Sequence, residues 1–266
     1  MDFDNIFLLI FEFVCLIITQ RYKNMNIYES WLVKKQIAHR GLHDRVSEEN
    51  SLSAFEKAIQ AGYAIEMDVQ MTSDGTLVVF HDNNLKRMTG VAGDIRETKY
   101  EHIKDLKLGN SDEKIPTFDE FLNFIDGRTP LLIEVKTHAN VGLAEQKIID
   151  RLLKYKGEFA LQSFNPFIVK YFAEHAPQFV RGQLASDFKN DIMPLYQKIL
   201  LKNLFFIKSN KSQFVSYDVE AIRRPLIKRI KKRMPVIMWT VRKQSQIDEL
   251  KEYYDNIIFE NFIPAK

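Results

Sequence analysis

The residues of this sequence that could do chemistry are acidic and imidazole side chains within or just after short apolar runs. Glu66 and Asp68 alternate with apolar residues in Ala64–Val69, and Glu134 lies near the end of Leu131–Val135. Side chains two residues apart on a strand share one side, so Glu66 and Asp68 project together. Crowded carboxylates repel unless a cation lies between them. The pattern predicts a site where Glu66, Asp68 and Glu134 hold one divalent cation, Mg²⁺ or Ca²⁺.

Two histidines lie just after the ends of apolar runs. His39 follows the first apolar run, and His81 closes the short predicted strand Leu77–Phe80. Imidazole titrates near neutral pH, so one ring can take a proton from a nucleophile while the other gives one to a leaving alkoxide. Arg40 and Lys136 can neutralise phosphoryl oxygens together with the metal. This set predicts phosphodiester cleavage with His39 and His81 as the acid/base pair.

Each of these residues also has a purely structural interpretation. A single buried histidine is usually a hydrogen-bonded core residue, and a single Glu-x-Asp on a strand usually forms ion pairs. The functional interpretation depends on their occurring together, because all of them lie on or just after apolar strands of one chain.

Eight apolar runs alternate with amphipathic stretches and must position these groups. The runs predicted as strands are Gln36–Ala38, Ala64–Val69, Leu131–Val135, Phe159–Gln162, Phe179–Leu184, Phe214–Tyr217, Val236–Thr240 and Asn256–Phe259. The stretches predicted as helices are Ser53–Ala61, Gly142–Lys154, Pro166–His175, Ile192–Leu201, Pro225–Arg233 and Ser245–Tyr253. Strand-helix alternation implies parallel strands, and eight repeats predict an α/β fold, the (β/α)8 TIM barrel, with its site at the carboxyl ends of the strands. A doubly wound open sheet is the alternative.

One segment interrupts the alternation. Asp74–Thr117 contains the short strand Leu77–Phe80 followed by loop-like and helical pieces. We interpret it as a small insertion between the second barrel strand and its helix.

Composition narrows the class of protein. The chain has 266 residues, is 45% hydrophobic and carries a formal net charge of +3, which suits one globular domain and predicts no nucleic-acid partner. Its one cysteine, Cys15, rules out an internal disulfide or a zinc site built from several thiolates. A basic cluster near the C-terminus is interpreted as a solvated helix face, with an anionic membrane surface as the alternative partner; it comprises Arg223, Arg224, Lys228, Arg229, Lys231, Lys232 and Arg233.

The N-terminal segment has a different character. Ile6–Thr19 is apolar except for Glu12 and Thr19, and it is short for a membrane span. Three interpretations stay open: a membrane anchor or interfacial helix, a helix packed on the barrel, or an extension before a true start at Met25. We therefore divide the chain into an apolar segment, 1–30, and a catalytic domain, 31–266. If the segment inserted, the basic residues after it would leave the domain in the cytoplasm, at the inner face of the membrane.

The order and spacing of these motifs resemble the glycerophosphodiester phosphodiesterase family. The resemblance covers about Ile37 to Pro264. The matching stretches are Ala38-His39-Arg40-Gly41, Glu49-Asn50-Ser51, Ile65-Glu66-Met67-Asp68-Val69, Val78-Val79-Phe80-His81-Asp82, Arg87-Met88-Thr89-Gly90, Ile133-Glu134-Val135-Lys136, Gln162-Ser163-Phe164-Asn165 and Met238-Trp239-Thr240-Val241.

The resemblance implies a (β/α)8 barrel that hydrolyses small glycerophosphodiesters to glycerol 3-phosphate and an alcohol. It implies that His39 and His81 are the acid/base pair, and that Glu66, Asp68 and Glu134 hold the metal. The remaining implied roles are phosphate contacts for Arg40 and Lys136 and a glycerol pocket lined by Phe164 and Trp239. The implied mechanism is attack by the glycerol 2-hydroxyl on phosphorus, followed by hydrolysis of the cyclic phosphate.

Three positions depart from the pattern of the family. Glu48 replaces the usual proline, Arg242 replaces an asparagine, and Ile257–Asn261 replaces Gly-Ile-Ile-Thr-Asp. Arg242 is expected to add a cation near the barrel mouth and so to affect substrate preference. Two alternative functions stay open: a phospholipase acting on intact membrane lipids, which a weaker likeness to related barrels supports, and a non-catalytic barrel.

Overall fold

The computed structural model describes residues 26–137 and 140–265, so the predicted run Ile6–Thr19 lies outside the described residues. The strands are β1 (Ile37–Ala38), β2 (Ala64–Met71), β3 (Leu77–Val79), β4 (Leu131–Val135), β5 (Phe159–Ser163), β6 (Arg181–Ala185), β7 (Phe214–Asp218), β8 (Val236–Val241) and β9 (Asn256–Phe259). The α-helices are α1 (Trp31–Lys34), α2 (Leu52–Gln60), α3 (Lys86–Thr89), α4 (Phe118–Ile125), α5 (Leu143–Leu152), α6 (Pro166–His175), α7 (Leu195–Lys202), α8 (Pro225–Lys231) and α9 (Gln244–Glu249). Short 3-10 helices cover Ile27–Glu29, Tyr100–His102 and Val219–Ala221.

Eight of these strands form a closed parallel barrel. The order is β1-β2-β4-β5-β6-β7-β8-β9, and β1 closes it by pairing with both β2 and β9. The predicted (β/α)8 TIM barrel is confirmed, and the open doubly wound sheet is wrong because a closed barrel has no free edge at β1.

The inside of the barrel is divided into an apolar floor and a polar upper layer. The floor takes about one side chain from each strand and is covered from below by Leu32 and Trp31 of α1; it comprises Ile37, Ala64, Leu132, Ala160, Val180, Phe214, Ile237 and Ile258. A Cβ at Gly182 would lie 2.3 Å from the ring of Phe214, so the floor admits no larger residue at that position. Since strand side chains alternate, the next inward residues form the upper layer. Polar groups meet there, for example Ser216 Oγ and Gln162 Oε1 at 2.7 Å.

The insertion has the position that the sequence predicts. β3 pairs antiparallel with β2, with Val79 opposite Val69, and the chain then passes through α3 before α4 begins. The segment encloses its own small core, formed by Val78, Phe80, Leu85, Met88, Ile95, Ile103, Leu108 and Ile115. Thr117 ends the insertion and starts α4 through a capping box with Glu120.

Several element boundaries differ from the predicted ones. β6 begins at Arg181 rather than Phe179, and α9 ends at Glu249 rather than Tyr253. The helix predicted from Ile192 begins at Leu195, because Pro194 has an extended ψ of 144°. Helix and strand ends are the least regular part of any pattern, so these shifts leave the topology unchanged.

Three of the seven residues in the basic cluster on and around α8, namely Arg223, Lys228 and Lys231, are paired with acids. Arg223 lies 2.7 Å from Glu249, and Lys228 lies 2.7 Å from Glu252. Ile230 of α8 is buried, so the helix turns its charges outward over an apolar stripe. This geometry agrees with a solvated outer face. Among the described residues, no helix combines the length and apolar character that crossing a bilayer requires.

Candidate active site

Three buried carboxylates meet at the upper end of the barrel. Asp68 on β2 and Glu134 on β4 are register partners, and Glu66 precedes Asp68 by two residues on the same face of β2. One oxygen of each lies within 4.8 Å of the others. The sequence predicted this cluster, and the parallel register of two adjacent strands assembles it.

The cluster carries more negative charge than its surroundings balance. Burial, followed by repulsion from Asp68 and Glu134, raises the pKa of Glu66 well above its ordinary value. Burial also disfavours the charged form of Asp68, but Lys136 and other nearby cations lower its pKa overall. Lys136 contacts both Asp68, at 2.8 Å, and Glu134. Burial lowers the pKa of Lys136, and these two carboxylates more than reverse that effect.

The donor set fits a hard divalent cation. All three groups offer oxygen, which Mg²⁺ and Ca²⁺ prefer, and they converge from two rigid strands. The raised pKa of Glu66 shows that a third negative charge is costly there without added positive charge. A cation beside Glu66, Asp68 and Glu134 would supply that charge.

His39 lies between this cluster and a fourth carboxylate. Its Nε2 is 3.9 Å from Glu66, and its Nδ1 contacts Glu260, which follows β9. Burial lowers the pKa of His39, and its contact with Glu260 offsets this only in part. Burial thus favours the neutral ring, and a neutral ring in this position donates its Nδ1 proton to Glu260, because a carboxylate can only accept.

The turn after His39 fixes the neighbouring groups. Arg40 has a φ of +53°, and its backbone N–H donates to Glu66 at 3.0 Å. Gly41 follows at φ +81°, and a Cβ there would lie 2.8 Å from the carbonyl carbon of Ala54. The side chain of Arg40 is held by acids, with Nη1 2.7 Å from Glu49 and Nε 3.3 Å from Asp68. This turn therefore requires glycine, and it directs the backbone of Arg40 at the cluster.

His81 is positioned from the insertion. It follows β3, and its Nδ1 lies 2.6 Å from Asp82 Oδ1. Arg87 binds both oxygens of Asp82 and both oxygens of Glu49, with its Nη1 2.9 Å from Glu49 Oε2. Gln70 donates at 2.9 Å to the carbonyl oxygens on either side of His81. Asp82 therefore holds the ring of His81, and Gln70 holds the backbone on both sides of it.

A large cavity opens beside His81 and Glu134 at this end of the barrel. It has a volume of about 1,710 Å³, and His81, Glu134 and Lys136 line its polar side. Phe164 and Trp239, whose ring centroids are 5.5 Å apart in an edge-on arrangement, line it as well. The structure therefore brings His81, Glu134, Lys136, Phe164 and Trp239 together around one cavity. The other predicted site residues, His39, Arg40, Glu66 and Asp68, do not line it and lie in the layer that holds the carboxylate cluster.

Sequence reasoning missed two acidic residues of the site. Glu260 was noted only as part of a departure from the pattern, and Glu49 only as part of a motif, yet Glu260 contacts His39 and Glu49 links Arg40 to Arg87. Arg242 does not act as a free cation at the mouth, because its Nε and Nη2 each lie 2.7 Å from Glu260 Oε1. The two departures from the pattern of the family thus form one ion pair.

Fold and site together define an α/β-barrel enzyme with acidic and imidazole groups at the carboxyl ends of its strands. Residues 39–264 match the Glycerophosphoryl diester phosphodiesterase family, so the chain belongs to that family. The resemblance inferred from the motifs is confirmed.

Relatives by sequence and by structure agree. The uncharacterized protein YqiK of Bacillus subtilis is 34% identical over 164 residues, covering 58% of this chain and 67% of its own. A glycerophosphodiester phosphodiesterase of Caldanaerobacter subterraneus is 34% identical over 160 residues, covering 56% of this chain and 65% of its own. These alignments span about two thirds of each relative.

A solved phosphodiesterase of Oleispira antarctica, in complex with the product sn-glycerol-3-phosphate, shares the fold. It superimposes with a TM-score of 0.73 at 23% identity, covering 86% of this chain and 93% of the other.

Proposed function

We propose that this protein hydrolyses glycerophosphodiesters to glycerol 3-phosphate and an alcohol. The observation that carries the proposal is the placement of two carboxylate-bound imidazoles, His39 and His81, around a buried three-carboxylate cluster, with His81 and Glu134 lining one large cavity. Membership of the family supports the same reaction. The solved Oleispira relative was crystallised with glycerol 3-phosphate, which is the product expected here.

We propose that Glu66, Asp68 and Glu134 hold one divalent cation, Mg²⁺ or Ca²⁺. When bound, such an ion supplies positive charge that stabilises the phosphoryl oxygens. Lys136 lies 2.8 Å from Asp68 and faces the cavity, so its ammonium group can bind the same oxygens of the substrate. Arg40 contacts Asp68 and Glu49, and we propose that it adds positive charge beside the same cluster.

We assign the role of base to His39 and the role of acid to His81. The lowered pKa of His39 favours the neutral form of its ring, which suits proton abstraction at Nε2. His81 stands at the wall of the cavity, where a leaving alkoxide would emerge. In the mechanism that the resemblance implies, the glycerol 2-hydroxyl gives its proton to His39 and attacks phosphorus. The phosphorus–alkoxide bond breaks, His81 protonates the alkoxide, and water then opens the cyclic phosphate.

Phe164 and Trp239 are proposed to hold the glycerol carbons. Their rings meet edge-on above the floor of the barrel and present apolar faces to the cavity. A glycerol backbone has apolar carbon–hydrogen faces between its hydroxyls. Contact with these rings would orient it with its 2-hydroxyl toward the acidic cluster.

Hydrolysis of intact membrane phospholipids is the second candidate, and the shape of the cavity favours it. Beyond the polar side, the wall is apolar and far larger than a glycerophosphodiester requires; it includes Phe167, Phe188, Met193, Leu200, Leu201 and Phe206. A lipid with two acyl chains has no free 2-hydroxyl, so it could not form the cyclic phosphate. Detection of that cyclic product therefore separates the two candidates.

The test is release of glycerol 3-phosphate from glycerophosphocholine by the full chain, with and without a chelator. We expect release that stops on chelation and returns with Mg²⁺ or Ca²⁺. A double variant, His39→Ala with His81→Ala, purified in the same way, controls for contaminating phosphodiesterases. A folded, metal-loaded protein that releases nothing from glycerophosphocholine but cleaves phosphatidylcholine would favour the second candidate.

We also propose that residues 31–266 form the catalytic domain in the cytoplasm and that residues 1–30 attach it to the inner face of the membrane. The basic residues that follow the apolar run support this orientation. A reporter fused to the C-terminus, active only in the cytoplasm, tests it in cells. Reporter activity confined to the outer side would contradict the orientation.

A further inference from the structure

Helix α7, on the connection from β6 to β7, leaves its apolar side chains uncovered. Leu195, Tyr196 and Ile199 are 72%, 63% and 44% exposed, and no residue of the helix is buried. A helix on a globular protein normally turns its apolar stripe toward the core. This helix instead turns much of its apolar surface toward solvent.

Neighbouring side chains extend this apolar surface beyond the helix. Ile192 is fully exposed before α7, and Phe205 is 68% exposed after it. Phe167, at the start of α6, is 60% exposed, and its ring centroid lies 6.0 Å from that of Phe206. Phe205 packs edge-on against Phe206 at 5.4 Å, which joins the two sides. We call Phe167, Ile192, Leu195, Tyr196, Ile199 and Phe205 the α7 surface.

The α7 surface is continuous with the catalytic cavity. Tyr196 and Phe167 belong to both, because they also line the cavity that contains His81 and Lys136. The inner side of the helix contributes Leu200 to the same wall. Whatever covers the α7 surface therefore lies at the entrance through which substrate passes.

The segment is also basic. Residues 186–211 contain five lysines and two aspartates. Lys189, before the helix, is 80% exposed and pairs with Asp187 at 2.7 Å, and Lys198 of the helix donates to the carbonyl oxygen of Lys189 at 3.2 Å, which brings the two lysines into one region of the segment. Exposed apolar side chains flanked by lysines are typical of helices that lie in the interface of an anionic bilayer.

The helix is fixed at its carboxyl end. Tyr217 donates to the carbonyl oxygen of Lys202 at 2.9 Å, and Arg224 Nη2 donates to Asn203 at 2.6 Å. The helix is thus anchored to the barrel while its apolar side chains are exposed. No rearrangement of the barrel is needed to expose them.

We propose that the α7 surface docks onto an anionic lipid bilayer and that the catalytic cavity opens against the membrane. α7 has eight residues, so it would lie along the interface, with Leu195 and Ile199 among the acyl chains and the lysines among the headgroups. This contact is separate from any attachment through residues 1–30. It concerns binding alone and holds or fails independently of the proposed reaction.

The test uses the full chain with Cys15→Ser, so that an environment-sensitive fluorophore attaches only to an introduced cysteine. One protein carries the label at Leu195→Cys and a second at Phe205→Cys. The control carries it at Lys156→Cys, an exposed position before β5 at the opposite end of the barrel. Vesicles of phosphatidylcholine with phosphatidylglycerol are added, and vesicle binding is followed in parallel by sedimentation.

We expect a blue shift of emission, and quenching by lipid-attached quenchers, at Leu195→Cys and Phe205→Cys but not at Lys156→Cys. Adding Ile199→Glu to the labelled Leu195→Cys protein should weaken the titration about tenfold, because it removes one apolar anchor and adds a repelled charge. Adding Val46→Glu, at a position 78% exposed elsewhere, should leave it unchanged.

Three outcomes would overturn the proposal. Protein that sediments with vesicles while both α7 labels stay unshifted is bound through another part of the chain. If the labels are already shifted without lipid, the α7 surface is covered by the protein itself. A shift that depends on protein concentration means that a second copy covers it, and a shift that does not means that another segment of the same chain covers it. Protein that neither sediments nor shifts does not dock at all.

Discussion

The carboxylate of Glu260 contacts Nδ1 of His39, so the other nitrogen of that ring faces the acidic cluster. A carboxylate at Nδ1 fixes the proton there and leaves Nε2 as the free base. Arg242 holds the other oxygen of Glu260 at 2.7 Å, so the orientation of His39 depends on a chain of three side chains. Glu260 does not itself line the cavity side of the site, which makes it a positioning residue.

Replacing Glu260 by glutamine should lower kcat while leaving KM nearly unchanged. The amide can still accept at Nδ1 but supplies no negative charge and can rotate to present its NH₂ group, which would reverse the tautomer of His39. Loss of a carboxylate that orients a functional histidine typically lowers activity about 10- to 100-fold. Steady-state kinetics measure it, with Glu249→Gln, at an exposed ion pair of α9, as the control. An unchanged kcat would show that His39 needs no partner at Nδ1.

The two histidines should respond differently to the leaving group. With glycerophosphocholine, His39→Ala and His81→Ala are each expected to lose about 10²- to 10⁴-fold in kcat/KM, because each removes one proton transfer. With the p-nitrophenyl diester of glycerol 3-phosphate, whose leaving group needs no proton, His81→Ala should recover most of its loss and His39→Ala should not. Circular dichroism establishes that both variants are folded. Equal losses on both substrates would contradict the assignment of His81 as the acid.

Glu66→Gln should weaken binding of the divalent cation, because a neutral amide is a poorer ligand for hard cations than a carboxylate. Glu66 is the member of the cluster whose pKa burial and its acidic neighbours raise, so it is the carboxylate that gains most from a bound cation. Isothermal titration calorimetry with Mg²⁺ and with Ca²⁺ measures the change. The control is Glu145→Gln, a buried carboxylate at the start of α5 and outside the cluster. Identical titrations for Glu66→Gln and the parent would remove Glu66 from the site.

Arg87→Lys should reduce turnover although the charge is kept. The guanidinium of Arg87 spans Asp82 and Glu49 with four hydrogen bonds, and a single ammonium group cannot reproduce that planar arrangement. Asp82 would then be free to turn away from His81. We expect a loss of kcat comparable to that of Asp82→Asn, measured on the same substrate. The control is Arg151→Lys, whose partner Asp119 lies 2.6 Å away and which does not line the cavity. Full activity in Arg87→Lys would mean that Asp82 is held without it.

Much of the fold and site could be predicted because the determining patterns are local. The Glu-x-Asp of β2 shows by its spacing alone that both carboxylates share a face, and an acidic residue at the end of the next barrel strand completes the cluster. The pairing of Arg242 with Glu260 could not be predicted, because it depends on the shifted register between β8 and β9. The exposure of α7 was equally hidden, since an apolar stripe in a sequence predicts burial and does not reveal what covers it.

The small hydrophobic core of the insertion separates one group of site residues from the barrel during sequence evolution. The proposed general acid His81 and its partner Asp82 are carried by a segment with its own hydrophobic cluster, whereas the proposed metal ligands belong to the barrel strands. The two catalytic halves can therefore vary in sequence semi-independently, provided that Gln70 and Arg87 keep them in alignment. If His81 is the acid, we expect that exchanging this segment between homologues transfers leaving-group preference, while the site of attack on phosphorus stays with the recipient barrel.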